Sequence, residues 1–85
     1  MTPSTYFGLL AEFGTVHVPI TELGKKYFGY SELTAKNNAT KNKYPFPVFR
    51  IGLSEKSTWV ADIADVAVYI DKVKDKAKKE YLLAN

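Results

Sequence analysis

At 85 residues, 46% of them apolar and 14% aromatic, the chain can bury one small core, so a single domain over 1–85 is expected. Cysteine is absent, which removes disulfides, thiolate catalysis and cysteine-ligated zinc together. No apolar run is long enough to span a bilayer and no basic segment precedes an apolar one at the start, so the expected setting is cytoplasmic, away from membranes. The net charge of +3 is unevenly spread. From Lys25 to Arg50 six cations (Lys25, Lys26, Lys36, Lys41, Lys43, Arg50) face one acid, Glu32. An unmixed basic stretch of this kind points to a polyanion.

Taken in chain order, "STYFGLLAEF" (4–13) carries Tyr6, Phe7, Leu9, Leu10 and Phe13 at helical spacing, and Gly14 suits its C-cap. "TVHVPI" (15–20) is expected to be an extended connector, because Pro19 holds Val18 out of the α region. Thr21 can cap a short helix to residue 28, ended by Gly29, and Ser31 can cap another from 32 to about 42. Two short helices joined by the glycine-containing turn "GYS" have the helix-turn-helix form.

The second of these helices is expected to turn Leu33, Ala35 and Ala39 inward. Thr34, Lys36, Asn37, Asn38, Lys41 and Asn42 are then left outside. Asparagine is a poor helix former, so three of them here weaken the helix and call for another reason. Asn and Lys side chains can read base edges and hold phosphates. A plain polar surface helix is the alternative reading.

Pro45 and Pro47 end the helical region, and "PVFRI" and "STWVA" then have strand composition around "GLSEK", which predicts a β-hairpin near 47–61. After a helix-turn-helix, such a hairpin has the place of a wing, with Arg50 and Lys56 where a wing would touch the phosphate backbone, and Lys36, Lys41 and Lys43 as further phosphate-capable groups. Trp59 is expected to plug the core between hairpin and helices, and Tyr44 and Phe46 to form the joint between helix and wing. Asp62, with Asp65 three residues on, caps a last helix near 62–80 whose stripe runs Ile63, Val66, Ala67, Ile70, Val73 and Ala77. Its tail mixes five lysines with three acids between Asp71 and Glu80, the pattern of a solvated helix face. The fold class is therefore mainly α with a small β-hairpin: a winged helix-turn-helix, ordered helix–helix–wing–helix after an amino-terminal helix.

Catalysis finds little support. His17 is the single histidine and lies in a Val-His-Val segment, no serine or threonine stands in a nucleophile motif, and no glycine pattern cradles a phosphate. Most acids stand at helix starts or in the mixed tail. No enzymatic role, cofactor or metal is expected.

The stretches "YFGLLAEFG", "KYFGYS", "YPFPVFRIG", "SEKS" and "DVAVYID", in that order and spacing, resemble the pyocin activator proteins of the PrtN type, from about Tyr6 to Lys79. These are small phage- and prophage-borne transcriptional activators. The resemblance implies binding to double-stranded DNA and activation of late or bacteriocin-type genes, through a contact with RNA polymerase. The element order is also similar to that of winged-helix excisionases and of the DNA-binding heads of MerR-type regulators. The helix exterior "KNNATKNK" is richer in Asn and Lys than the family pattern, so no target sequence carries over. The expected DNA contacts are Thr34, Lys36, Asn37, Asn38, Lys41, Lys43, Arg50, Lys56 and Ser57. Two other functions fit the same pattern: an excisionase-like recombination directionality factor that directs an integrase, and a protein-binding adaptor or anti-repressor. The apolar residues of the two terminal helices exceed what a minimal winged helix needs, which predicts a homodimer through them, with packing inside one chain as the alternative.

Overall fold

The computed structural model describes residues 2–54 and 56–84. Its elements run α1 (Pro3–Phe13), β1 (His17–Pro19), α2 (Ile20–Leu23), α3 (Glu32–Thr40), β2 (Val48–Arg50), β3 (Trp59–Asp62) and α4 (Ile63–Ala84), with a wide π-helical turn over Gly24–Phe28 continuing α2. The chain is thus mainly helical with one small antiparallel sheet, in the strand order β1-β3-β2. This arrangement is compatible with a winged helix.

Local chemistry sets most of the boundaries. Thr2 caps α1, its hydroxyl accepting the Thr5 N–H at 3.4 Å, and Pro3 takes the first helical position, where its missing N–H costs nothing. Gly14 closes the helix at φ 74°. Ser31 caps α3 by accepting the Thr34 N–H at 3.2 Å. That helix ends at Thr40, two residues short of the expected limit. Asn42 there adopts φ 55°, and the N–H groups of Asn42 and Lys43 turn back to the carbonyls of Ala39 and Asn38 at 3.1 and 2.9 Å. This is a Schellman stop with Asn in the left-handed position. Asp62 caps α4, its Oδ1 accepting the Ala64 N–H at 2.8 Å. The helix runs past residue 80 to Ala84.

The segment expected to be a connector is a strand. His17, Val18 and Pro19 pair with Asp62, Ala61 and Val60, so β3 is central and the hairpin strand β2 lies on its other side. The expected 47–61 hairpin is present in β2 and β3, linked by residues 51–58. Ser57 N–H donates to Ser54 O at 3.0 Å and Lys56 N–H to Ser54 Oγ at 3.1 Å, which closes the turn of the "SEKS" segment. Glu55 lies outside the described residues.

The core gathers Leu9, Val18, Ile20, Leu23, Ala39, Tyr44, Phe46, Ala61, Ile63, Val66 and Ala67 from every helix and two strands of the sheet. Tyr44 and Phe46 are buried in it as the expected joint, with Phe28 and Tyr30 edge-on to Tyr44 at 5.6 and 6.1 Å and Phe28 tilted against Phe46 at 6.2 Å. The Tyr44 hydroxyl donates to the Ala35 carbonyl at 2.9 Å, and burial pushes its pKa up. Leu33, expected to face inward, is 69% exposed. At 3.6 residues per turn it lies about 200° round the helix from Ala35, so it cannot share a face with Ala35 and Ala39. Alanine alone makes that contact, and Gly24 opposite completes it, since a Cβ there would stand 3.0 Å from Ala35 Cβ.

The terminal helices pack on each other within the chain. Asp71 on α4 accepts the Thr2 N–H and the Thr5 hydroxyl, both at 2.7 Å, and those hydrogen bonds hold its pKa below the usual carboxylate range. At the other end of α1, Glu12 pairs with Lys26 and accepts the Tyr27 hydroxyl at 2.6 Å.

Candidate nucleic-acid interface

Between α3 and the hairpin lies an open groove of about 460 Å³. The helix side supplies Glu32, Lys36 and Thr40, one row at a spacing of four residues. The hairpin side supplies Arg50, Lys56, Ser57, Thr58 and Trp59. Ile20 and Thr21 also line it. Antiparallel register explains the hairpin contribution, because Arg50 sits opposite Trp59 across β2 and β3.

Two interactions shape the groove's charge. The Arg50 guanidinium lies over the Trp59 ring, its Cζ 4.5 Å from the centroid. A cation in that position is attracted to the ring face and loses much of its freedom to turn. Its Nε is closed off from solvent and has no hydrogen-bond partner among the described residues. On the helix side, Lys36 Nζ is 3.1 Å from Glu32 Oε1, one turn back, and both side chains are largely exposed. Such a pair contributes only about 0.3–0.5 kcal/mol to the helix. The Thr40 hydroxyl donates to the Lys36 carbonyl at 3.2 Å.

The nine residues expected to contact DNA fall into two groups. Lys36, Arg50, Lys56 and Ser57 meet around this groove. Thr34, Asn37 and Lys41 are exposed, and Asn38 is half-buried, since it flanks Ala35 and Ala39. Thr34 also takes part in the cap, its hydroxyl accepting from Ser31 at 2.9 Å. Lys43 is exposed beyond the end of α3. Asn42 is occupied by the helix stop. Of the basic middle segment, Lys26 is directed elsewhere, to Glu12 and over the Phe13 ring at 5.3 Å.

Sequence reasoning missed Glu32, Thr40, Thr58 and Trp59 as groove residues. The i, i+4 row through Lys36 could have shown the first two. Trp59 does pack against the core as expected, but its other side supports Arg50. His17 is exposed beside Asp62 at 3.9 Å, with its ring edge-on to Phe49. Among the described residues no group of three or more His, Cys, Asp or Glu could hold a metal, and no helix is long and apolar enough to cross a membrane.

A small, basic, mainly helical chain with a three-stranded sheet and a cationic groove is the class of protein that these features define. The family model of pyocin activator protein PrtN matches residues 5–77, and the chain belongs to that family, one of transcriptional regulators rather than enzymes. No curated protein and no solved structure matches the chain.

Proposed function

We propose that the chain is a sequence-specific double-stranded-DNA-binding regulator of the winged helix-turn-helix type that activates phage or bacteriocin genes. The observation that carries this is the groove: Lys36 from a helix and Arg50, Lys56 and Ser57 from the hairpin are far apart in sequence, yet line one surface. The exposed side of α3 adjoins it, with Leu33, Thr34, Asn37 and Lys41. In this reading α3 enters the major groove, where Asn37 suits an adenine edge and Leu33 a thymine methyl. The hairpin lies on the flanking backbone, with Arg50 and Lys56 at phosphates. Membership of the activator family supports the regulatory half of the proposal.

Footprinting on the DNA that neighbours the gene tests it. Protection beside a promoter, with transcription raised from that promoter, is the expected result. Protection at an attachment site would replace the activator with an excisionase-like factor working with an integrase. No protection of any duplex would leave the adaptor or anti-repressor function. Replacing Asn37 by alanine should cost about 1–3 kcal/mol at the cognate site and little elsewhere. Replacing Lys56 by alanine should weaken binding to every sequence alike.

A further inference from the structure

We propose that the groove between α3 and the hairpin seats one DNA-backbone phosphate, held by Arg50 and Lys36, and that Glu32 is a built-in competitor for that seat. The proposal rests on the DNA-binding function above and gives the groove a role that base reading does not require.

The Arg50 guanidinium is fixed before any ligand arrives. Trp59 supports one face of it, and the side chain leaves the strand at a position set by the register with Trp59. A planar fork immobilised at an open, polar groove is suited to a phosphate diester, which takes paired hydrogen bonds from it with little further ordering. The Arg50 Nε is buried and has no hydrogen-bond partner among the described residues. Lys56 and the Ser57 and Thr58 side chains lie along the same wall and can add a second charge and hydroxyl donors.

Glu32 works in the opposite direction. Among the described residues it is the single acid lining the groove, and it pairs with Lys36, the helix-side cation. A phosphate entering between Lys36 and Arg50 meets the Glu32 carboxylate at close range and must take Lys36 from it. Weak, sequence-independent contacts are penalised by this exchange. A cognate site, which adds base contacts along α3, can still drive it. Glu32 therefore sets, through Lys36, how tightly the seat holds the phosphate of any duplex.

Trp59 is the only tryptophan in the chain, so its fluorescence reports on the groove directly. Binding would be followed by Trp59 emission and, separately, by anisotropy of a labelled duplex, for the wild type, Glu32→Gln, Arg50→Gln and Lys41→Ala. The expected results are a change in Trp59 emission on adding duplex and tighter non-specific binding by Glu32→Gln, of about 3- to 10-fold, with a log–log salt slope steeper by up to about 0.9. Arg50→Gln should lower affinity for all sequences about 10-fold and make the slope shallower by the same amount. Lys41→Ala should weaken binding and leave the response of the bound complex unchanged. A gain of affinity cannot arise from misfolding, so Glu32→Gln decides even if Arg50→Gln is unstable. Anisotropy that reports binding, with unchanged Trp59 emission and wild-type affinity in Glu32→Gln, overturns the seat and leaves the DNA-binding function standing. A Trp59 response to inorganic phosphate but none to duplex overturns it in favour of a free-anion site. No anisotropy change with any duplex removes the function and the seat together.

Discussion

Tyr44 shows how much a single side chain decides in a molecule of this size. Its ring fills the junction between α3 and the hairpin, and its hydroxyl ties the loop after α3 to the Ala35 carbonyl. Tyr44→Phe keeps the ring and loses the bond, so urea unfolding should show a loss of about 1 kcal/mol. Charged groups at α1 set a pH dependence instead. Lys26, by its hydrogen bond, and then Tyr27 hold Glu12 below its ordinary pKa of 4.5, and the Thr5 and Thr2 donors do the same to Asp71, ordinarily 3.8. A carboxyl depressed in the folded chain contributes stability above its unfolded pKa and loses it as pH falls through the folded value. The docking of α1 should therefore hold at pH 6 and weaken below about pH 4, seen as faster amide exchange in α1 than in β3. Tyr27 has the opposite sign. Burial, and then its bond to Glu12, raise its pKa to about 12, so its contribution is complete below pH 10 and is lost as pH rises through the folded value of about 12.

Among the elements, α3 depends most on its neighbours. It has two buried residues, Ala35 and Ala39, and asparagines that lower its own helix propensity. What holds it is close approach to the turn at Gly24, the Ser31 cap, and Tyr44 beneath it. Gly24→Ala would place a methyl 3.0 Å from Ala35 Cβ and 3.3 Å from the Tyr44 hydroxyl, a clash expected to cost about 1–3 kcal/mol in thermal or urea unfolding. The aromatic cluster is the second support. Phe28 meets Tyr30, Tyr44, Phe46 and Tyr69 at 5.5 to 6.3 Å, and so joins the helical turn, the hairpin joint and α4. Phe28→Ala should cost about 3 kcal/mol, the low end for a phenylalanine deletion because the ring is half-buried, and should lower DNA affinity only through unfolding.

For the molecule as a whole, charge and shape separate into two ends. The groove and the exposed side of α3 carry the cations proposed to meet DNA, and about five phosphate contacts predict a log–log salt slope of roughly −4 to −5 in a duplex titration. The other end is the outer half of α4. The intrachain packing of α1 on α4 takes up Leu9 and much of Tyr6 and Phe13, so a dimer through the terminal helices rests on what they leave exposed: Phe7 on α1 and Val68, Val73, Tyr81, Leu82 and Leu83 on α4. Five lysines and three acids are mixed from Asp71 to Glu80, a mixture better matched to a second copy of the same helix than to DNA. We expect light scattering at micromolar concentration to give a dimer mass, and an inverted-repeat target with half-sites about 34 Å, or a multiple of it, apart. A monomer mass both free and on DNA would rule out that assembly.

The amino-acid sequence by itself determined the number of the helices, the hairpin and the family, though not that the second helix starts at Ile20 without a Thr21 cap and widens to a π-helical turn over Gly24–Phe28. Those features are local: caps at Ser31 and Asp62, the glycines at 14 and 29, apolar spacing along α1 and α4, and short motifs in a definite order. It could not place β1, because three residues of strand have meaning only beside a partner, and Val18 becomes a strand residue by pairing with Ala61. Nor could it show that Asn42 serves the helix stop, that Leu33 points outward, or that Lys26 leaves the basic stretch for Glu12. The groove is the clearest case. Glu32 acts on Lys36 within α3 and Trp59 on Arg50 within the hairpin, but the two pairs, 27 positions apart from Glu32 to Trp59, line one groove only once α3 and the hairpin are folded side by side. Tertiary structure alone decides that, since a side chain's electrostatic and stacking partners are chosen by distance in space and not by separation along the chain.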